Sequence, residues 1–276
     1  MTRARVWGTL RGDRRARVAA VLLAVLVLLV LVGPMAWHAD PVLVDLARAG
    51  AGPSAAHPLG TDESGRDVVA RLLAGGRVSL AVGLLAMAVA VAVGGAIGAI
   101  AGARGGWLDQ LLMRTTDAAL AVPTLFVVIT VLTFLGPSTP TLVLAIGATS
   151  WMGAARVVRG ELQVLRHQPF VEAARALGAG GLPILVRHLL PHLVPTILVA
   201  ASLGVGSAIL TESALSFLGL GIQPPAASWG NMLSGAQSYL FTYPWLALYP
   251  GLLILVTVVA VNLLGDALRD SLDTTR

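Results

Sequence analysis

The sequence predicts an all-α, multi-pass membrane protein with six transmembrane helices. Three observations carry that expectation. Of 276 residues, 56% are hydrophobic and only 12% charged, with a mean hydropathy of +0.82, which lies outside the range of ordinary soluble domains. The apolar residues gather in runs of about 20, enough to cross a hydrocarbon core of about 30 Å at about 1.5 Å per residue. The charges also sort by side. On a six-span topology 15 of the 19 arginines fall on the inner face, and only Arg48, Arg66, Arg71 and Arg77 fall on the outer one, as the positive-inside rule requires.

Composition also sets what chemistry to expect. All 19 basic residues are arginine, and the chain holds neither lysine nor cysteine. Without lysine there is no P-loop or Schiff-base amine, and without cysteine there is no thiolate cluster, thiol nucleophile or disulfide. The sequence pI of about 10.9 is accounted for by topology signalling on an apolar chain, so no nucleic-acid partner is expected. No Ser/His/Asp or paired-carboxylate constellation stands out, and the chain is expected to be non-catalytic.

Taken in order, residues 1–17 form a cytoplasmic tail with six arginines, followed by an apolar run over 18–37. That run is too long for a signal-peptide core and lacks its cleavage pattern, so it is expected to be an uncleaved anchor. Residues 38–77 form an outer loop containing His57-Pro-Leu-Gly-Thr-Asp-Glu-Ser-Gly-Arg-Asp67 and then an amphipathic helix with Val68, Val69, Leu72 and Leu73 on one face. Ser64 and Asp67 suit a helix start. Asp62, Glu63 and Asp67 are read as a solvated turn and cap, since the spacing lacks the calcium-loop pattern.

Residues 78–268 make a five-span core. The second span, from about Val78 to Ala101, carries Gly94 and Gly98 at the spacing that lets another helix approach closely. The third, roughly Leu112 to Leu135, contains Pro123 and places Asp117 one turn from Arg114, a natural ion pair. A fourth covers Thr141 to about Gly160. The fifth runs from near His192 to Leu215 and includes Glu212, for which two readings stand: lining a translocation path, or a buried hydrogen bond to a neighbouring helix. Between Ser216 and Pro244 an outer loop without basic residues is broken by Pro224-Pro225, and its Trp229, Met232, Leu233 and Tyr239 are expected to rest at the membrane interface. The last span starts at Trp245, and residues 269–276 form a cytoplasmic tail.

The loop over 163–191 differs from the others because it has helical pattern of its own. After Pro169, residues Phe170, Val171, Ala174 and Leu177 recur at helical spacing, with Glu172 and Arg175 opposite. Gly178, Gly180 and Gly181 then reverse the chain, and a second short helix follows from about Leu182 to Leu190, ending at Pro191. Helices this short rarely hold alone in water, so the pair needs a partner surface. His188 and His192 stand four apart, a spacing able to chelate a metal, but Pro191 intervenes and no third ligand is near; packing against a partner is the simpler reading.

Glu172-Ala173-Ala174, then Gly178, then Leu190-Pro191 resembles the EAA loop of binding-protein-dependent ABC importer permeases. The His57–Asp67 string, Arg187-His188 before Leu-Pro, and ESALSFLGLG followed by QPP and SWG are similar to the dipeptide, oligopeptide and nickel branch of that family; Pro183 and His192 depart from its pattern. The resemblance implies a type I ABC importer permease fold with cytoplasmic coupling helices, in the bacterial plasma (inner) membrane with both termini cytoplasmic. It implies Glu172, Ala173, Ala174, Arg175, Gly178, Leu190 and Pro191 as the ATPase-coupling residues. The expected partners are a second homologous permease subunit, two ATP-binding subunits that carry the ATP and Mg, an extracytoplasmic solute-binding protein and membrane lipid. Di- or oligopeptides are the expected solutes, with nickel chelates or glutathione-like solutes as the alternative. A secondary transporter, the rival from another class, calls for ionisable residues at mid-membrane or inverted repeats, and the spans carry neither clearly.

Overall fold

The computed structural model describes residues 13–272. Most of the N-terminal arginine tail and the last four residues lie outside the described residues. The regular structure among the described residues is all helical, with largely irregular segments over 37–67 and 218–228 and one isolated bridge between Thr61 and Asp67. The helices are α1 (Arg14–Ala36), α2 (Val68–Arg104), α3 (Gly106–Leu120), α4 (Thr124–Leu135), α5 (Thr139–Leu165), α6 (Pro169–Ala176), α7 (Gly181–Phe217), α8 (Trp229–Ala236) and α9 (Trp245–Leu272). Five of them, α1, α2, α5, α7 and α9, are long and apolar enough to cross a membrane, and α3 with α4 makes a sixth span if the bent pair counts as one.

α2 is the central post, packed by α5 and α7 and flanked by α1 and α9. Its glycines explain how α5 comes so near. A Cβ on Gly94 would stand 2.2 Å from the Trp151 carbonyl oxygen, and one on Gly98 2.3 Å from that of Ala155, so backbone meets backbone along this seam. Around it Val82, Ala86, Val128, Leu142, Ile146 and Leu215 form one buried cluster.

Several boundaries differ from the sequence reading. The amphipathic helix expected before the second span and the span itself are one 37-residue helix; nothing between Val68 and Val78 interrupts the backbone ladder, and Asp67 caps it by accepting from the Ala70 amide at 2.7 Å. The third span, expected as one helix, bends by 79° between α3 and α4. Pro123 has no amide to continue the ladder and sits extended at ψ 117°, which starts α4 in a new direction. Asp117 pairs with Arg156 of α5 at 2.5 Å rather than with Arg114.

The helix expected to end at Pro191 does not end there. Residues Leu185–Leu189 form a π-helical turn in which the Leu190 amide reaches back to the Leu185 carbonyl. That wider turn accommodates the proline, whose ring would otherwise press on the preceding turn, and α7 continues to Phe217.

The segments expected on the outer side are also less solvated than expected. Asp62 is buried and accepts from Arg66 Nε at 2.7 Å, with Arg71 Nε 3.2 Å away, while Glu63 takes Arg66 Nη2 at 2.6 Å. Asp67, besides capping α2, accepts from Trp37 Nε1 at 2.9 Å and lies 2.8 Å from His57 Nδ1. Gly65 makes this knot possible: at φ +77°, its missing Cβ would fall 1.7 Å from the Asp45 carbonyl oxygen. Trp229, expected at the membrane interface, is instead wholly buried and donates its indole N–H to the Leu72 carbonyl at 3.0 Å. α8 therefore tucks back against the start of α2.

Candidate functional site

The loop singled out by its pattern forms a compact knob at the far end of the molecule from that tuck. α6 buries Val171 against Val158 and Leu162 of α5 and against Ile184, Leu189 and Leu193 of α7. Val171 is the one side chain that α6 buries, so most of its surface stays outward. Glu172, Ala173 and Arg175 are exposed and Ala174 is partly covered. Phe170 stacks on His192 with ring centroids 5.0 Å apart, tying α6 to α7. His192 Nδ1 lies 2.6 Å from the His188 carbonyl oxygen.

Gly178 closes α6. Its amide donates to the Arg175 carbonyl at 2.9 Å, and the Ala179 amide donates to Ala174 at 3.0 Å, the paired bonds of a Schellman ending. That ending needs φ +84° at Gly178, a left-handed backbone that side chains resist. Nothing lies within 4 Å of where its Cβ would be, so backbone conformation, not crowding, sets the preference for glycine.

Glu172, Ala173, Ala174, Arg175 and Gly178 are thus gathered on one protrusion. Leu190 and Pro191 stand behind it on α7, Leu190 half-buried and Pro191 exposed. The sequence reading put Leu177 on the same side of α6 as Val171, whereas Val171 is buried and Leu177 is 89% exposed, because the Schellman turn swings it off the helix. Together with Leu182 at 71% and Val186 at 51% exposure it adds apolar area beside the charges. Leu182 and Val186 were missed as surface residues. The signal available was their place directly after the glycines, where no neighbouring helix can cover them.

Glu212 belongs elsewhere. About 30 residues up α7, hence about 45 Å of helix away, it is wholly buried. It accepts from Ser79 Oγ of α2 at 2.9 Å and from Ser216 Oγ at 2.7 Å, with Ser213 Oγ at 3.5 Å. Ser79 Oγ in turn accepts from the Trp229 amide at 3.2 Å, and Ser216 Oγ from Ile222 at 3.0 Å. The carboxylate lies inside the subunit, bonded to neighbouring hydroxyls, which is the geometry of the hydrogen-bonded reading of Glu212.

Residues 94–275 match the family described as "Binding-protein-dependent transport system inner membrane component". The chain belongs to that family. This inner-membrane component is 42% identical over 229 residues to the glutathione transport system permease protein GsiD of Pectobacterium atrosepticum, covering 83% of this chain and 76% of that one. It is 41% identical over 271 residues to GsiD of Shigella flexneri serotype 5b, covering 97% and 88%. A Brucella suis biovar 1 protein, provisionally assigned as a peptide permease, is 41% identical over 263 residues, covering 95% and 87%. Among solved structures, a chain of the MetNI methionine ABC transporter in an inward-facing conformation superposes with a TM-score of 0.59 at 18% identity, covering 74% of this chain and 96% of that one. The inner-membrane component thus has the fold of an ABC importer permease, as the resemblance in its motifs implies.

Proposed function

We propose that this permease forms half of the translocation path of an ATP-driven importer for di- or oligopeptides, and that the α6 knob is where an ATP-binding subunit grips it. The observation that carries the reading is the knob itself: a short helix closed at Gly178 that exposes Glu172 and Arg175 beside uncovered Leu177 and Leu182. A solvent-facing surface of that mixed character is typical of a docking patch. Glu172 and Arg175 provide polar contacts, Ala173 and Ala174 keep the approach flat, and Leu190 with Pro191 backs the knob on α7.

ATP and Mg then reside on two partner subunits, in keeping with a chain that has no lysine. A second homologous permease completes the path, and a solute-binding protein delivers from the opposite side. Both termini lie in the cytoplasm on this reading, as the arginine distribution favours. Closure of the ATP-binding subunits pulls the knob, and the paired permeases alternate between access to the two sides. Glutathione is the second reading for the solute, favoured by the names of two of the relatives above.

The test is purification of the tagged permease from membranes, followed by reconstitution and ATP-dependent uptake of a labelled dipeptide in competition with glutathione. Co-purifying ATPase and uptake inhibited by other peptides are expected. A permease that brings down no ATPase, or uptake driven by an ion gradient without ATP, overturns the proposal.

A further inference from the structure

Opposite the knob, about 45 Å along α2 from Ala99, a cavity of about 230 Å³ opens between the start of α2, the turn after α7, and α8. It is smaller than the about 300–1,000 Å³ of drug-sized sites, so it suits a small solute or one end of a longer one. Its wall combines Glu63, Arg66 and Arg71 with Gln223 and Ser234.

The charges there are only partly used by one another. Asp62 is saturated: it takes the Ser64 and Arg66 amides at 2.9 and 3.0 Å as well as the Arg66 side chain. Arg71, only 4% exposed, gives Nη1 to the Pro41 carbonyl at 3.4 Å. Among the described residues Arg71 Nη2 and Arg66 Nη1 have no hydrogen-bond acceptor, yet neither is among the sealed polar atoms left without a partner. Both therefore keep some accessible surface, and both side chains line this cavity. Glu63 accepts Arg66 Nη2 with Oε1 and leaves Oε2 without a donor among the described residues.

We infer that this cavity is a recognition site for a small zwitterion, with the free guanidinium donors of Arg66 and Arg71 taking a carboxylate and Glu63 Oε2 taking an ammonium. Two donor groups and one acceptor on opposing charges, largely screened from bulk water, are the complement of an amino acid or of a short peptide's ends. The inference rests on the proposed peptide or glutathione import, since it supplies that path with a solute-selective station on this subunit.

Calorimetric titration of the purified importer with glycylglycine, N-acetylglycylglycine and glycylglycine amide tests it. The uncapped dipeptide is expected to bind about tenfold tighter than either capped form, the effect of losing one charge-assisted bond. Ser234→Phe, which fills the cavity, is expected to abolish the binding. Glu63→Gln keeps a bond to Arg66 and is expected to erase the preference over the acetylated form. Equal affinity for all three ligands, no glycylglycine binding, or binding unchanged in Ser234→Phe overturns the inference. Importer that binds glycylglycine at this site but transports no peptide delivered by its binding protein sinks the transport reading alone. Transport that proceeds while the titration shows nothing sinks the zwitterion site alone.

Discussion

Arg77 of α2 donates from Nε to the Val30 carbonyl of α1 at 3.0 Å, and from Nη2 to the Leu31 carbonyl at 2.8 Å. One of these acceptors, the Val30 carbonyl, is free for a reason in the sequence. Pro34 lies four residues after Val30 inside α1 and has no amide to offer it. An arginine from the next helix thus repairs the defect that a proline makes in its neighbour.

A double-mutant cycle follows from that repair. Arg77→Met is expected to lower stability by about 1 kcal/mol, because Arg77 is exposed and only the carbonyl bonds are lost. In a Pro34→Ala background the alanine amide satisfies Val30 itself, so the same substitution is expected to cost much less. Thermal unfolding in detergent of the four proteins measures the coupling; equal costs in both backgrounds refute the relationship.

Gly178→Val forces a β-branched residue to φ +84°, a cost of about 1–2 kcal/mol that is expected to undo the Schellman ending rather than the membrane core. Uptake is expected to fall by about 5- to 30-fold if that whole cost bears on docking, with membrane levels of the permease unchanged by immunoblot. Gly178→Asn, a residue that tolerates this backbone, is expected to recover most of the activity.

Gly98→Ala drives a methyl to within 2.3 Å of the Ala155 carbonyl. α2 and α5 must part, at a cost of about 1–3 kcal/mol, and the thermal transition is expected to drop accordingly. Gly95→Ala, with nothing within 4 Å of its Cβ, is the control and is expected to leave the transition in place.

Glu212→Gln keeps the size and most hydrogen bonds of the side chain, so uptake is expected to stay within about twofold if the buried hydroxyl bonds are its whole role. Glu212→Leu strands the buried hydroxyls of Ser79 and Ser216 and is expected to destabilise by about 1–3 kcal/mol. Uptake kinetics and unfolding together decide; a large loss in Glu212→Gln at unchanged stability contradicts an interior structural role.

The spans were legible because about 20 apolar residues in a row have few other fates. The knob was legible because the glycines after Leu177 and the charges at Glu172 and Arg175 break an otherwise apolar rhythm. What stayed hidden depends on partners distant in sequence. Arg156 outcompetes Arg114 for Asp117 because a neighbouring helix brings it to 2.5 Å. Trp229 has the composition of an interfacial anchor, and only the bare surface at Gly75 and Gly76, against which Ser228 and Trp229 pack, lets it sink into the protein. Pro123 and Pro191 look alike in sequence as breakers. One turns the chain by 79° and the other is absorbed, and the difference lies in the widened turn ahead of Pro191, which local propensity does not announce.

That widened turn makes α7 a single spar about 55 Å long, footed at Leu182 among the uncovered leucines and headed at Glu212 among the hydroxyls that hold α8. Motion imposed on the foot has two places to dissipate, the π turn at Leu185–Leu189 and the bend-prone Pro195 above it. Above Pro195 no break intervenes before Phe217. Displacement that passes those two compliant points meets only continuous helix on its way to the end of the subunit beside the cavity.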